Sequence, residues 1–177
     1  ITGIGQGFMT ASPLQLAVTT AAIANRGKLL KPQVLMHAQT KNGDIYENDK
    51  KPASQIPIKD INNWELIIEG MKQTVYGKLG TGRKLNLDLD YTLAGKTGTA
   101  QVFGLDPEEE YIAENYEEKL RDHALFTAFA PIEDPKVAIA IIVENAGSGS
   151  SKAAPIAKSL LDVYFSKNPL ILNPVSE

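Results

Sequence analysis

The residues best suited to chemistry in this sequence are Lys96, Thr97, Gly98 and Thr99. They lie in a stretch that reads as a strand, because Tyr91, Thr92, Leu93, Thr97, Thr99, Val102 and Phe103 bring β-favouring or apolar side chains. Thr97 and Thr99 are two apart, so their hydroxyls project from one face of that strand. Gly95 and Gly98 interrupt it, and a glycine inside a strand weakens it unless something must approach the backbone closely. A lysine beside bare backbone suits an anionic ligand. With two hydroxyls on one face, it makes a binding edge for a carboxylate and a carbonyl oxygen. The same residues also suit an edge strand whose lysine discourages aggregation.

Other patterns promise less. Thr81-Gly82-Arg83-Lys84 has a nucleophile-to-lysine spacing of three, but the glycines of residues 77–83 predict a mobile loop. Asn145 to Lys152 is a glycine-serine loop between a strand and a helix, which suggests phosphate binding. A phosphate loop needs Gly-Lys-Ser/Thr, whereas Ser151-Lys152-Ala153 stands here. Gly3, Gly5 and Gly7 alternate without a preceding strand, which again fails the nucleotide pattern. His37 has no acidic or cysteine neighbour at ligand spacing, and the acidic stretch from Asp106 to Asp122 lacks the D-x-D-x-D-G calcium pattern. That stretch reads as a long connection carrying a solvated helix. No cofactor and no metal is called for.

The positioning elements follow from local signals. Ser12, Pro13 and Gln15 predict a capped helix start, with Leu14, Ala17, Val18, Ala21 and Ala22 on one face and Asn25 and Gly27 at its end. Leu29 to Tyr46 reads as extended chain with a hairpin at Asn42-Gly43. Lys50 to Pro57 reads as a linking loop. Asn62 and Glu65 have cap spacing, and Trp64, Ile67, Ile68, Met71 and Val75 form an apolar helical stripe ending at Gly77. Residues 123–131 and 136–145 are apolar on both faces, which predicts central strands covered by helices. With the lysine-threonine strand they make three consecutive antiparallel strands. A helix follows from about Ala153 to Phe165, and the proline-containing tail reads as loosely packed.

At 177 residues the chain is one domain or a large part of one, long enough to bury roughly 70% of its unfolded surface. Its 43% hydrophobic and 22% charged content is that of an ordinary globular chain. The net charge of −3 gives no electrostatic case for nucleic acid. The chain has no cysteine, hence no disulfide or thiol chemistry. It has no run long enough to span a bilayer.

Lys96-Thr97-Gly98 matches the third motif of the penicillin-interacting serine acyltransferases. Ala94-Gly95-Lys96-Thr97-Gly98-Thr99-Ala100-Gln101, with Gly3-Ile4-Gly5-Gln6-Gly7 upstream, resembles the class B penicillin-binding proteins. Val102-Phe103-Gly104-Leu105 and Arg121-Asp122-His123 are similar to their cell-elongation branch in Gram-negative bacteria. The resemblance covers nearly all of the chain except about the last ten residues.

That resemblance implies an α/β (α+β) fold, an antiparallel sheet flanked by helices, incomplete in this chain. Residues 1–177 would be the C-terminal portion of a transpeptidase domain, whose nucleophile lies upstream. Consistent with this, no lysine here has a serine three residues before it, and Ser166-Lys167-Asn168 fits Ser-x-Asn only in the wrong order. The implied activity is peptidoglycan D,D-transpeptidation by serine acyl transfer. The Thr99 backbone N–H would be an oxyanion donor, and the Thr97 and Thr99 hydroxyls would hold a stem-peptide or β-lactam carboxylate. Lys96 would supply positive charge, Gly98 would leave room for substrate backbone, and Gln6 would support the cleft. Implied partners are the stem peptide, β-lactams, the upstream part of the protein, a membrane glycan polymerase and the elongation complex. The implied location is the periplasmic face of the inner membrane. The alternatives are a β-lactamase or β-lactam sensor, or a non-catalytic scaffold of the same fold. By itself the chain is not expected to fold stably or to be active.

Overall fold

The computed structural model describes residues 9–35, 37–47, 52–102, 112 and 115–166. Helix α1 (Pro13–Ala24) begins where the sequence places it. The Gln15 N–H donates to Ser12 Oγ at 3.2 Å and the Ser12 N–H donates to Gln15 Oε1 at 2.8 Å, a reciprocal cap. The predicted apolar face is only partly right, because Leu14 is exposed while Thr20, Ala22 and Ala24 are buried. Thr20 fits a buried position because its hydroxyl donates to the Leu16 carbonyl at 2.8 Å.

Strand β1 (Lys28–Leu30) follows. β2 (His37–Gln39) and β3 (Ile45–Glu47) form the expected Asn42-Gly43 hairpin, with His37 exposed on β2. The expectation of a plain loop over Lys50 to Pro57 is corrected. β4 (Pro52–Gln55) pairs antiparallel with β1, and the register shift between Leu29 and Leu30 falls where Pro52 begins β4. Proline cannot donate to a ladder, so it sits at the first residue of a two-stranded sheet.

Helix α2 (Asn62–Tyr76) carries the predicted stripe with one exchange. Trp64, Ile68, Met71 and Val75 are buried, whereas Ile67 is exposed and Thr74 takes a buried place. The cap is also corrected: Asn62 is the first helical residue and Ile61 stands at the cap position without a side-chain hydrogen bond, while Asp60 Oδ1 accepts from the Asn62 N–H at 2.9 Å. Glu65 instead pairs with Arg26 on the surface.

The central sheet holds β5 (Ala94–Ala100), β6 (His123–Ala130) and β7 (Val137–Val143) in that order, all antiparallel. Helix α3 (Ala153–Phe165) packs on one face, and α1 and α2 pack on the other. On the α3 side Phe126, Leu93 and Leu161 are fully buried with Ala153, Ala154 and Ala157. On the opposite side Ala94 and Phe129 meet Ile68, Met71 and Ala24. β6 is central, as its sequence requires. β7 is not: among the described residues it pairs only with β6, and each of its residues is partly exposed.

Gln6 and the glycines around it lie outside the described residues, as do most of the acidic stretch and the tail beyond Ser166. Of the acidic stretch, residues 115–122 contain a one-turn 3₁₀ helix, Glu118–Leu120.

Candidate active site

β5 alternates its side chains between the two faces of the sheet. Thr97 stands opposite Phe126 and Thr99 opposite Ala124, so both hydroxyls leave from the α3 side. Lys96 and Gly98 stand opposite Thr127 and Leu125, on the α2 side. Among the described residues β5 has β6 as its one partner strand, so the lysine on one face and the threonines on the other flank the same outer edge. Lys96 is exposed there, and its Nζ donates to the Thr97 carbonyl at 2.9 Å.

The two glycines of β5 have different causes. A Cβ on Gly95 would lie 2.6 Å from Phe126 Cζ, so this glycine makes room for the core and not for a ligand. A Cβ on Gly98 would meet only Leu125 Cβ, at 3.2 Å, while the Gly98 backbone is crossed by the loop before α3: a Cβ on Gly149 would lie 2.5 Å from the Gly98 carbonyl oxygen and 2.2 Å from that of Leu125. The glycine-serine loop is therefore a packing device laid across β5 and β6.

The loop between α2 and β5 supplies a residue that sequence reasoning did not place at the site. The Gly77 N–H donates to Gln73 O and the Gly82 N–H donates to Thr74 O, both at 2.9 Å, which satisfies carbonyls that the helix end would leave orphaned. Arg83 Nη1 donates to Lys78 O at 3.1 Å, and a 3₁₀ helix, Arg83–Asn86, begins at once. The predicted mobile loop is thus a hydrogen-bonded turn. It brings Thr81 Oγ1 to 2.7 Å from Thr97 Oγ1. The available signal was a hydroxyl flanked by Gly80 and Gly82, but nothing local pointed it at Thr97.

Lys78, Thr81 and Lys96 line one cavity of about 500 Å³ whose wall contains no carboxylate. A larger cavity of about 1180 Å³ lies at the other end of β5, among Asp88, Asp90, Glu133 and Asp162. Its charge has the wrong sign for an anionic ligand. The lysine-threonine end fits a carboxylate, and the aspartate end does not.

Arg121-Asp122-His123 closes the far end of the sheet. The Asn145 N–H donates to His123 Nδ1 at 3.0 Å. Asn145 Nδ2 donates to the Lys119 and Arg121 carbonyls, and the Gly147 N–H donates to Asp122 O at 2.8 Å. Asp122 is buried, which pushes its carboxyl pKa up, while the Val102 backbone and His123 pull it back. These contacts tie the start of β6 to the end of β7 and to the loop across Gly98. Ser166 lies at the end of α3 beside the acidic cavity, apart from β5's lysine.

The chain is similar to known proteins over most of its length. Residues 1–162 match the family described as "Penicillin binding protein transpeptidase domain". The chain is 42% identical over 165 residues to the peptidoglycan D,D-transpeptidase MrdA of Haemophilus influenzae, covering 93% of this chain and 25% of that one. It superposes on Pseudomonas aeruginosa PBP2, solved in complex with WCK 5153, with a TM-score of 0.74 and 38% identity, covering 94% of this chain and 33% of that one. For Helicobacter pylori PBP2, solved in complex with MreC, the TM-score is 0.71 and the identity 33%, covering 93% of this chain and 26% of that one. The chain thus spans about a quarter of the length of the curated relatives it matches. With the lysine-threonine strand on the edge of an antiparallel sheet and a match over residues 1–162, the chain belongs to the penicillin-binding protein transpeptidase family.

Proposed function

We propose that residues 1–177 are the C-terminal portion of the catalytic domain of an elongation-type peptidoglycan D,D-transpeptidase, and that they bring the substrate-carboxylate and oxyanion side of its active site. The observation that carries this reading is the carboxylate-free, two-lysine cavity beside Thr81 and the β5 edge. In the complete protein a serine upstream attacks the penultimate carbonyl of a D-alanyl-D-alanine stem. The Thr99 backbone N–H donates to the developing oxyanion, together with the nucleophile's own N–H. The bond to the terminal D-alanine breaks as its amine takes a proton, and the acyl group passes to an amine of a neighbouring stem.

Each residue of β5 then has a role. The Thr97 and Thr99 hydroxyls hold the terminal carboxylate while Lys96 supplies its counter-charge. Gly98 lets the substrate backbone add to the strand edge. A β-lactam enters by the same carboxylate. Supporting the assignment of partners, a relative from Helicobacter pylori was solved with MreC. An elongation complex and a membrane glycan polymerase on the periplasmic side of the inner membrane fit this reading.

The test is intact mass and peptide mapping of the complete protein after incubation with a β-lactam. A stable adduct on a serine outside residues 1–177 is the expected result. An adduct on a serine within them overturns the division of roles, and the lack of any adduct favours a non-catalytic scaffold.

A further inference from the structure

We propose that Thr81 is a positioning residue for carboxylate recognition: it donates to the Thr97 oxygen and so turns the Thr97 hydroxyl hydrogen toward the ligand. This rests on the reading of β5 given above and adds a residue from a different element.

A threonine hydroxyl has one hydrogen to donate and lone pairs to accept. In the Thr81–Thr97 pair at 2.7 Å, either oxygen could donate. If Thr97 donates to Thr81, its hydrogen is spent within the pair. If Thr81 donates, Thr97 keeps its hydrogen for a ligand. A carboxylate accepts only, so its arrival selects the second arrangement. The result is a two-hydroxyl chain in which the first bond polarises the second.

The turn that carries Thr81 is built to hold this geometry. A Cβ on Gly80 would lie 2.3 Å from Thr74 O and 2.6 Å from Gln73 O, so the chain just before Thr81 is seated against the end of α2. The Gly82 N–H donates to Thr74 O immediately after it. Thr81 is itself exposed, and it lines the same cavity as Lys78 and Lys96. A hydroxyl fixed on both sides and aimed at Thr97 from a cationic cavity is placed to order that donor before a ligand binds.

The experiment measures second-order acylation rates of the complete protein by benzylpenicillin and by its methyl ester, for the parent, T81V and T81S. T81V keeps the shape and removes the hydroxyl; T81S keeps the hydroxyl. The expected result is a loss of about 5- to 10-fold for T81V with benzylpenicillin, the size of one hydrogen bond, and none with the ester. T81S is expected to stay within about twofold of the parent. Equal losses with acid and ester, or T81S behaving as T81V, overturn the proposal, because either shows the loop acting through shape alone. An unchanged T81V also overturns it, while parent acylation that prefers the free acid keeps the reading of β5 standing. A parent that neither ligand acylates sinks that reading itself and this proposal with it.

Discussion

Gly149 lies against Gly98 so closely that a single added methyl would fall 2.5 Å from the Gly98 carbonyl oxygen. One glycine is in the loop before α3 and the other is in the middle of β5, the strand that carries Lys96 and Thr97. The seat of α3 and the line of β5 are therefore one packing problem.

Gly149→Ala is expected to destabilise the domain by about 1–3 kcal/mol, the usual cost of overpacking, since its obstacles are backbone oxygens that cannot turn aside. The acylation rate should fall with it, because relief of the clash moves Gly98. Thermal unfolding and β-lactam acylation of the complete protein check both. Unchanged stability would mean that the loop does not lie on β5.

The contact between Gly95 and Phe126 offers a different kind of test, because the nearest obstacle is the end of a side chain, with the Thr127 carbonyl oxygen at 3.0 Å and Ala128 Cβ at 3.2 Å behind it. Gly95→Ala should cost about 1–3 kcal/mol. Phe126→Leu should also destabilise, by leaving a cavity. The two together should cost less than their sum, since the shortened side chain makes room for the methyl. Strict additivity in a double-mutant cycle would contradict the packing described.

Tyr91 sets the entry to β5. Its hydroxyl donates to Asp162 Oδ1 at 2.8 Å, its ring packs 4.6 Å from that of Phe165, and Asp162 also pairs with Lys158. Burial, then the bond and charge of Asp162, hold the Tyr91 phenol above its ordinary value of 10.0. A phenol that stays protonated in the fold stabilises fully below the unfolded value. As pH rises past 10.0 the unfolded chain ionises first, and stability falls until the folded value is reached. The parent should thus lose stability relative to Tyr91→Phe as the pH is taken above 10.0. At neutral pH Tyr91→Phe should be the less stable by about 1–3 kcal/mol, a hydrogen bond to a charged group. A difference that does not change with pH would contradict the account of Tyr91.

What was legible in the sequence was mostly local. Ser12 and Gln15 cap α1 within a single turn, so their types and spacing suffice. The apolar runs of β6 and β7 and the strand around Lys96 are likewise written in consecutive residues. Long-range pairings were not legible. Thr81 meets Thr97 across 16 residues through a turn whose direction depends on the end of α2. β4 was hidden because Pro52 reads as a loop until its pairing with β1 is seen. β7 looks central because all its side chains are apolar, but in the described chain it stands at the edge of the sheet. Asn62 has a capping side chain by type, but the helix starts on it, so Ile61 takes the cap position and Glu65 pairs with Arg26 across 39 residues.

Lys96→Ala in the complete protein tests the central claim most directly. Removing the charged partner of a bound carboxylate should cost about 2–5 kcal/mol of transition-state binding, at least about a 30-fold fall in acylation by benzylpenicillin. Lys96 is exposed, so thermal unfolding should be unchanged within about 0.5 kcal/mol. A large loss of acylation with unchanged stability is the expected result. Acylation near the parent rate would contradict the assignment of the β5 edge as the carboxylate site.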